Sequence, residues 1–150
     1  MPADKPIAFR EDGRPIFDNA PTVVVVIVVK NYKFLVVRRA IHPVGKLCFP
    51  CGYQMTGQTW QECGAAEVLE ESGYVIDPKK IVQLGEIEHG SGGMNIIFSR
   101  YIDAEWDAEN VGFTDDETQE VLWLDSVDEN EWAFPIHVKH AKTIIQNDLW

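Results

Sequence analysis

The sequence predicts an α/β/α sandwich built around a mixed β-sheet, and three observations carry that reading. The run Thr22 to Val29 is β-branched almost without exception and apolar on both alternating faces, as a strand covered on both sides would be. Residues Trp60 to Ser72 show a helical pattern with both ends marked. Strand-like segments outnumber helix-like ones, so the few helices have to cover both faces of one sheet.

Along the chain, residues 1–21 hold four of the eight prolines and an Asp12-Gly13 pair, which reads as an irregular arm with one short hairpin; the domain proper is expected over residues 22–150. After the central strand, the polar Lys30-Asn31-Tyr32-Lys33 makes a turn. Phe34 to Arg39 returns as a second strand that ends in Arg38 and Arg39. A loop with Pro43, Gly45, Pro50, Gly52 and Gly57 leads to the helix. There Thr59 and Glu62 form a capping box, each side chain satisfying an orphan amide, and Gly73 supplies the left-handed stop. Lys80 to Glu88, Met94 to Ala104 and Glu120 to Leu124 look like strands, and Pro135 to Leu149, with proline in its first turn, looks like a closing helix.

Composition narrows the function. The 150 residues, 45% apolar, suit one core. The longest apolar run, Val23 to Val29, is far below the roughly 20 residues of a membrane span. The N-terminus lacks the basic start and apolar stretch of a secretory signal, so a cytoplasmic location is expected. With 24 acidic and 13 basic residues the net charge is −11, which argues against nonspecific nucleic-acid binding and requires cations beside any phosphate-bearing substrate. Cys48, Cys51 and Cys63 are an odd set and read as free thiols; with no second Cys-x-x-Cys pair, they are taken as incidental rather than as a zinc site with His42 or a redox pair.

The informative chemistry is on the helix. At 100° per residue, Glu70 and Glu71 lie roughly 60° and 40° to either side of Glu67, so the three share one face. Like charges this close repel, and a hard divalent cation with oxygen ligands, Mg2+ or Mn2+, would remove that cost. A solvated acidic face is the ordinary alternative. The surroundings decide between them: Gly52, Glu67, Val68, Glu70, Glu71, Gly73 and Tyr74 fall at the spacings of the Nudix box, and the chain from about Val23 to Trp123 resembles the Nudix hydrolase family.

Two positions depart from that pattern: Gln58 stands where the family has a glutamate, and Ala66 where it has the arginine that orients the box glutamates. Leu47 and Cys51 also replace usual residues.

The resemblance implies metal ligation by Glu67 and Glu71, with Glu70 assisting, and by the backbone oxygen of Gly52. It also implies a later acidic residue, for which Glu120 leads over Asp115, Asp116 and Glu117. Arg39 matches the family's phosphate-binding arginine, and register decides whether it or Arg38 faces inward. The expected activity is hydrolysis of the diphosphate linkage of a nucleoside diphosphate derivative (dinucleotide, ADP-ribose or nucleotide-sugar type) by metal-activated water. The alternative is a weak or inactive domain that binds a nucleotide as a regulatory module. Family analogy adds a homodimer. His42, His89, His137 and His140 are read as structural or exposed, as are the aromatics Tyr53, Trp60 and Trp106.

Overall fold

A computed structural model of the chain describes residues 5–113 and 115–150. Around the Asp12-Gly13 turn, strands β1 (Ala8–Phe9) and β2 (Pro15–Ile16) pair antiparallel into a small exposed hairpin, with Ile7 and Phe9 both about two-thirds exposed.

The sheet grows from β3 (Thr22–Lys30), whose residues Val24 to Val28 are all buried. Asn31 and Tyr32 both take positive φ, 53° and 60°, as a two-residue type I′ turn requires, and return the chain as β4 (Lys33–Arg39). Short strands β5 (Leu47–Cys48) and β6 (Cys51–Tyr53) follow. Helix α1 (Trp60–Ser72) has the bounds and the capping box that the sequence predicts, and Gly73 closes it at φ 81°.

Lys80 to Glu88 is not one strand. Pro78 cannot donate to a ladder, and Asp77 caps a 3-10 turn over Pro78–Lys80. Strand β7 (Ile81–Gln83) comes next, and after Gly85, at φ 62°, β8 (Glu88–His89). Strand β9 (Asn95–Tyr101) is shorter at its C-terminal end than expected and β10 (Thr118–Leu124) starts two residues earlier. Helix α2 (Pro135–Gln146) stops at Asn147, before the expected Leu149.

The eight-stranded sheet runs β10-β4-β3-β9-β7, with β5 on β4, β6 on β3 and β8 on β9; β3 and β9 are parallel and the other pairs antiparallel. On one face Val24, Val26 and Val28 pack with Cys63 and Val68 of α1; on the other Val25 and Ile27 pack with Val138, Ala141 and Ile144 of α2. This is the expected α/β/α sandwich, the two sides of β3 serving two cores.

One irregularity creates the site. β3 and β4 pair directly only near their turn, at Val29 with Phe34 and Lys30 with Lys33. Farther along, the segment Leu47–Tyr53 enters between them: Cys48 pairs with Val37 of β4, and Cys51 with Val25 of β3. A cavity of about 650 Å³ is lined by residues of both diverging strands, β6, α1 and the start of α2.

Candidate active site

The buried stripe of α1 consists of Cys63, Gly64, Val68, Glu71 and Ser72. Glu71 therefore lies inside it, Glu67 at its border and Glu70 beyond it, exposed. Of the three glutamates that share a face by helical angle, the structure brings two inward.

Glu71 is 6% exposed, and its Oε2 accepts the backbone N–H of Cys51 at 3.1 Å. Glu67 lies directly over Gly52: a Cβ at residue 52 would fall 2.2 Å from the Glu67 carboxyl carbon, so only glycine lets the segment and the carboxylate approach this closely. Burial, then the charge of Glu70, pushes the Glu67 carboxyl up to about 7. Burial, then the neighbouring Cys48 and Glu67, pushes Glu71 well above the usual carboxylate range. Both shifts report a site short of positive charge.

Among the described residues no three His, Cys, Asp or Glu side chains gather as a metal-ligand set. Two carboxylates and one carbonyl still fit a hard cation such as Mg2+, which is commonly held by one or two carboxylates together with water and substrate phosphate. The close Glu67–Gly52 approach is the structural sign of that fit.

The later acidic residue departs from expectation. Glu120 sits opposite Arg38 across β10 and β4 and pairs with its Nε at 2.9 Å. The register shift between Thr118 and Glu120 marks a bulge, and β10 beyond it gives Glu120 to Arg38 instead of to the cavity. Glu117, just before the strand, lines the cavity with Glu71, and its charge and that of Asp115 act on Glu67.

The arginines separate as strand alternation requires. Arg38 is taken by Glu120 and by the Gly45 carbonyl. Arg39 lines the cavity, donates to the His42 carbonyl at 2.6 Å and to Cys48 Sγ at 3.6 Å, and lies over the Phe134 ring. Its Nε is buried with no partner among the described residues.

Gln58 holds the loop instead of the helix: its side chain accepts from Met55 N–H and its carbonyl from Gln54. His137, read from sequence as packing, is buried, accepts from Phe49 N–H at 3.2 Å and also lines the cavity. The cavity's apolar wall of Ile41, Met94, Ile96, Phe134 and Ile136 was not anticipated, because those residues lie far apart in sequence and only the fold joins them.

Comparisons with known proteins agree with this architecture. No curated protein matches the chain. A Nudix hydrolase from Nitrosomonas europaea superposes with TM-score 0.65 at 19% identity, over 93% of this chain and 78% of that one. A MutT Nudix hydrolase from Burkholderia pseudomallei gives TM-score 0.65 at 14% identity, over 85% and 99%. A bifunctional NMN adenylyltransferase/ADP ribose pyrophosphatase from Francisella tularensis, complexed with AMP and a manganese ion, gives 0.64 at 15%, over 85% of this chain and 42% of that one. At these identities the structures speak to fold alone. The family model described as NUDIX domain matches residues 18–146, taking in the Gly52 segment, the carboxylate helix and the cavity walls, and the chain is accordingly a member of the Nudix hydrolase family.

Proposed function

We propose that this Nudix domain hydrolyses the diphosphate linkage of a nucleoside diphosphate derivative in the cavity beside Glu67, Glu71, Glu117 and Arg39. The observation that carries the reading is the buried Glu71 at the wall of a cavity large enough for a nucleotide, with Glu67 set beside it against Gly52 and neither carboxylate paired with a cationic side chain among the described residues.

Glu67, Glu71 and the Gly52 carbonyl are the groups that would hold Mg2+ or Mn2+. Such an ion, when bound, supplies charge neutralisation for the diphosphate and a water of lowered pKa. Cys51 N–H fixes the Glu71 carboxylate, the part that the family's arginine would play and Ala66 cannot. Glu117, raised above its usual range by burial and by Asp115 and Asp116, is placed to accept a proton at the cavity wall. Arg39, the arginine at the cavity wall, is the group that would meet the substrate phosphate.

Substrate class follows from the balance of the walls. Arg39 is the one arginine, and no lysine is present, among the cavity-lining residues, while Phe134, Ile136, Met94, Ile96 and Ile41 make the remainder apolar. A single cationic side chain suits a diphosphate with a flat, weakly polar substituent better than a triphosphate. This supports a dinucleotide or ADP-ribose type of substrate.

The test incubates purified protein with Mg2+ or Mn2+ and a panel of dinucleotides, ADP-ribose, nucleotide sugars and nucleoside triphosphates. The expected result is a nucleoside monophosphate from the diphosphate-linked compounds, lost in Glu71→Gln. Ligand binding with no product above the Glu71→Gln control would instead establish the regulatory binding module, which the missing arginine at Ala66 favours.

A further inference from the structure

Strand β9 gives its α2 side two core residues, Ile96 and Phe98, and then an arginine at the next position of the same face. Arg100 enters no ion pair among the described residues, and its Nε is buried with no hydrogen-bond partner. A cation brought to the edge of a core without an anion is costly, and burial accordingly pushes its ionisation below the usual arginine range.

The same arginine lines a second cavity, of about 480 Å³, between α2 and the chain from β7 to β8. This cavity shares no lining residue with the one at Glu71. Its walls are largely aliphatic, from Leu84, Ile87, Ile144 and Leu149. Most of its other polar side chains are engaged. Glu88 pairs with His140 at 2.7 Å and with Lys139 at 3.4 Å, and the Thr143 hydroxyl donates to the Lys139 carbonyl at 2.9 Å. Glu86 also lines the cavity and is exposed. Arg100 is thus the cavity's cation without a fixed anion among the described residues.

We propose that this cavity binds a small monocarboxylate with a hydrocarbon body, the carboxylate on Arg100 and the body against Leu84, Ile87, Ile144 and Leu149. The planar guanidinium matches a carboxylate with two parallel N–H donors. A phosphate monoester, carrying nearly two negative charges, would meet this one unpaired cation beside the carboxylates of Glu86 and Glu88, so the singly charged ion is favoured. The aliphatic walls select an apolar body, because a polar one would leave its hydrogen-bonding groups unmatched against them. Neither the cavity nor its ligand depends on what the site at Glu71 hydrolyses.

The experiment titrates the isotope-labelled full chain with hexanoate and with benzoate, followed by the amide spectrum in NMR. Methyl benzoate and phenyl phosphate serve as the neutral and the more highly charged counterparts of benzoate. Expected is saturable binding of both carboxylates at one site, with the shifts centred on Leu84, Arg100 and Thr143, weaker binding of phenyl phosphate and none of the ester. Arg100→Gln should weaken benzoate about tenfold or more, the usual worth of a charge-assisted hydrogen-bonded pair. Ile87, half-exposed at the cavity wall, gives a second variant that leaves the fold alone: Ile87→Glu adds a negative charge beside the ligand and should abolish carboxylate binding. No saturable binding of either carboxylate overturns the site, as do shifts centred on the Glu71 cavity. Ester binding equal to that of benzoate, tighter binding of phenyl phosphate, or parent affinity in both variants overturns the assignment of a carboxylate to Arg100.

Discussion

At the scale of single residues, the site depends on a hydrogen atom. Gly52 has no Cβ, and the Glu67 carboxyl occupies the space where one would be. Gly52→Ala can be accommodated by swinging the Glu67 side chain away, which keeps the fold and spoils the ligand geometry. Hydrolysis is expected to drop about 10- to 100-fold, the usual cost of losing a ligand's support, with a melting temperature close to the parent's. Steady-state kinetics beside a thermal melt separate the two effects. A similar economy holds for Glu71, whose orientation comes from one backbone N–H instead of an arginine side chain.

At the scale of elements, α1 is the piece on which the site is mounted, and its ends are local chemistry. The Thr59 hydroxyl accepts from Glu62 N–H at 3.1 Å, and the Glu62 carboxylate accepts from Thr59 N–H at 2.9 Å. Thr59→Ala is expected to cost about 1 kcal/mol, seen as a fall of a few degrees in melting temperature with the substrate profile unchanged.

This helix was fully legible in the sequence because cap, stop and periodicity are all encoded within fifteen residues. So were the β3–β4 hairpin and the covered nature of β3. The sequence pattern was less informative where a neighbour decides. Helical angle grouped Glu70 with Glu67 and Glu71, but which side of Glu67 faces the sheet is set by where Cys63, Gly64 and Val68 pack. The family resemblance offered Glu120, but the bulge before it gives that residue to Arg38 and leaves Glu117 at the cavity. The entry of Leu47–Tyr53 between β3 and β4 had no local signature at all.

At the scale of the whole molecule, the two cores differ in what they bury. The α2 side holds His137, whose ionisation burial, with the charges of His140 and Arg39, pushes down to about 3. Its Nδ1 accepts from Phe49 N–H, an acceptor role that the protonated ring cannot keep. The unfolded chain takes up this proton near its ordinary value of about 6.5 and the native chain does not, so stability contributed here is intact above pH 7 and falls as pH drops toward 3.

Glu67 acts in the opposite sense, since its raised value makes the native state the better proton binder. The two are separated by comparison with His137→Gln. Between pH 7 and 5 the parent should lose about 2 kcal/mol more than the variant in urea unfolding, because one proton bound only by the unfolded chain costs about 1.4 kcal/mol for each pH step below 6.5.

The segment Leu47–Tyr53 behaves unlike an ordinary active-site loop. It is paired to β4 through Cys48 and to β3 through Cys51, Val26 N–H donates to its Pro50 carbonyl, and its Phe49 and Cys51 amides are tied to α2 and α1. No part of it can open without undoing the middle of the sheet. In the parent chain, loss of the site and loss of the fold therefore share one barrier, and on heating inactivation accompanies global unfolding instead of preceding it.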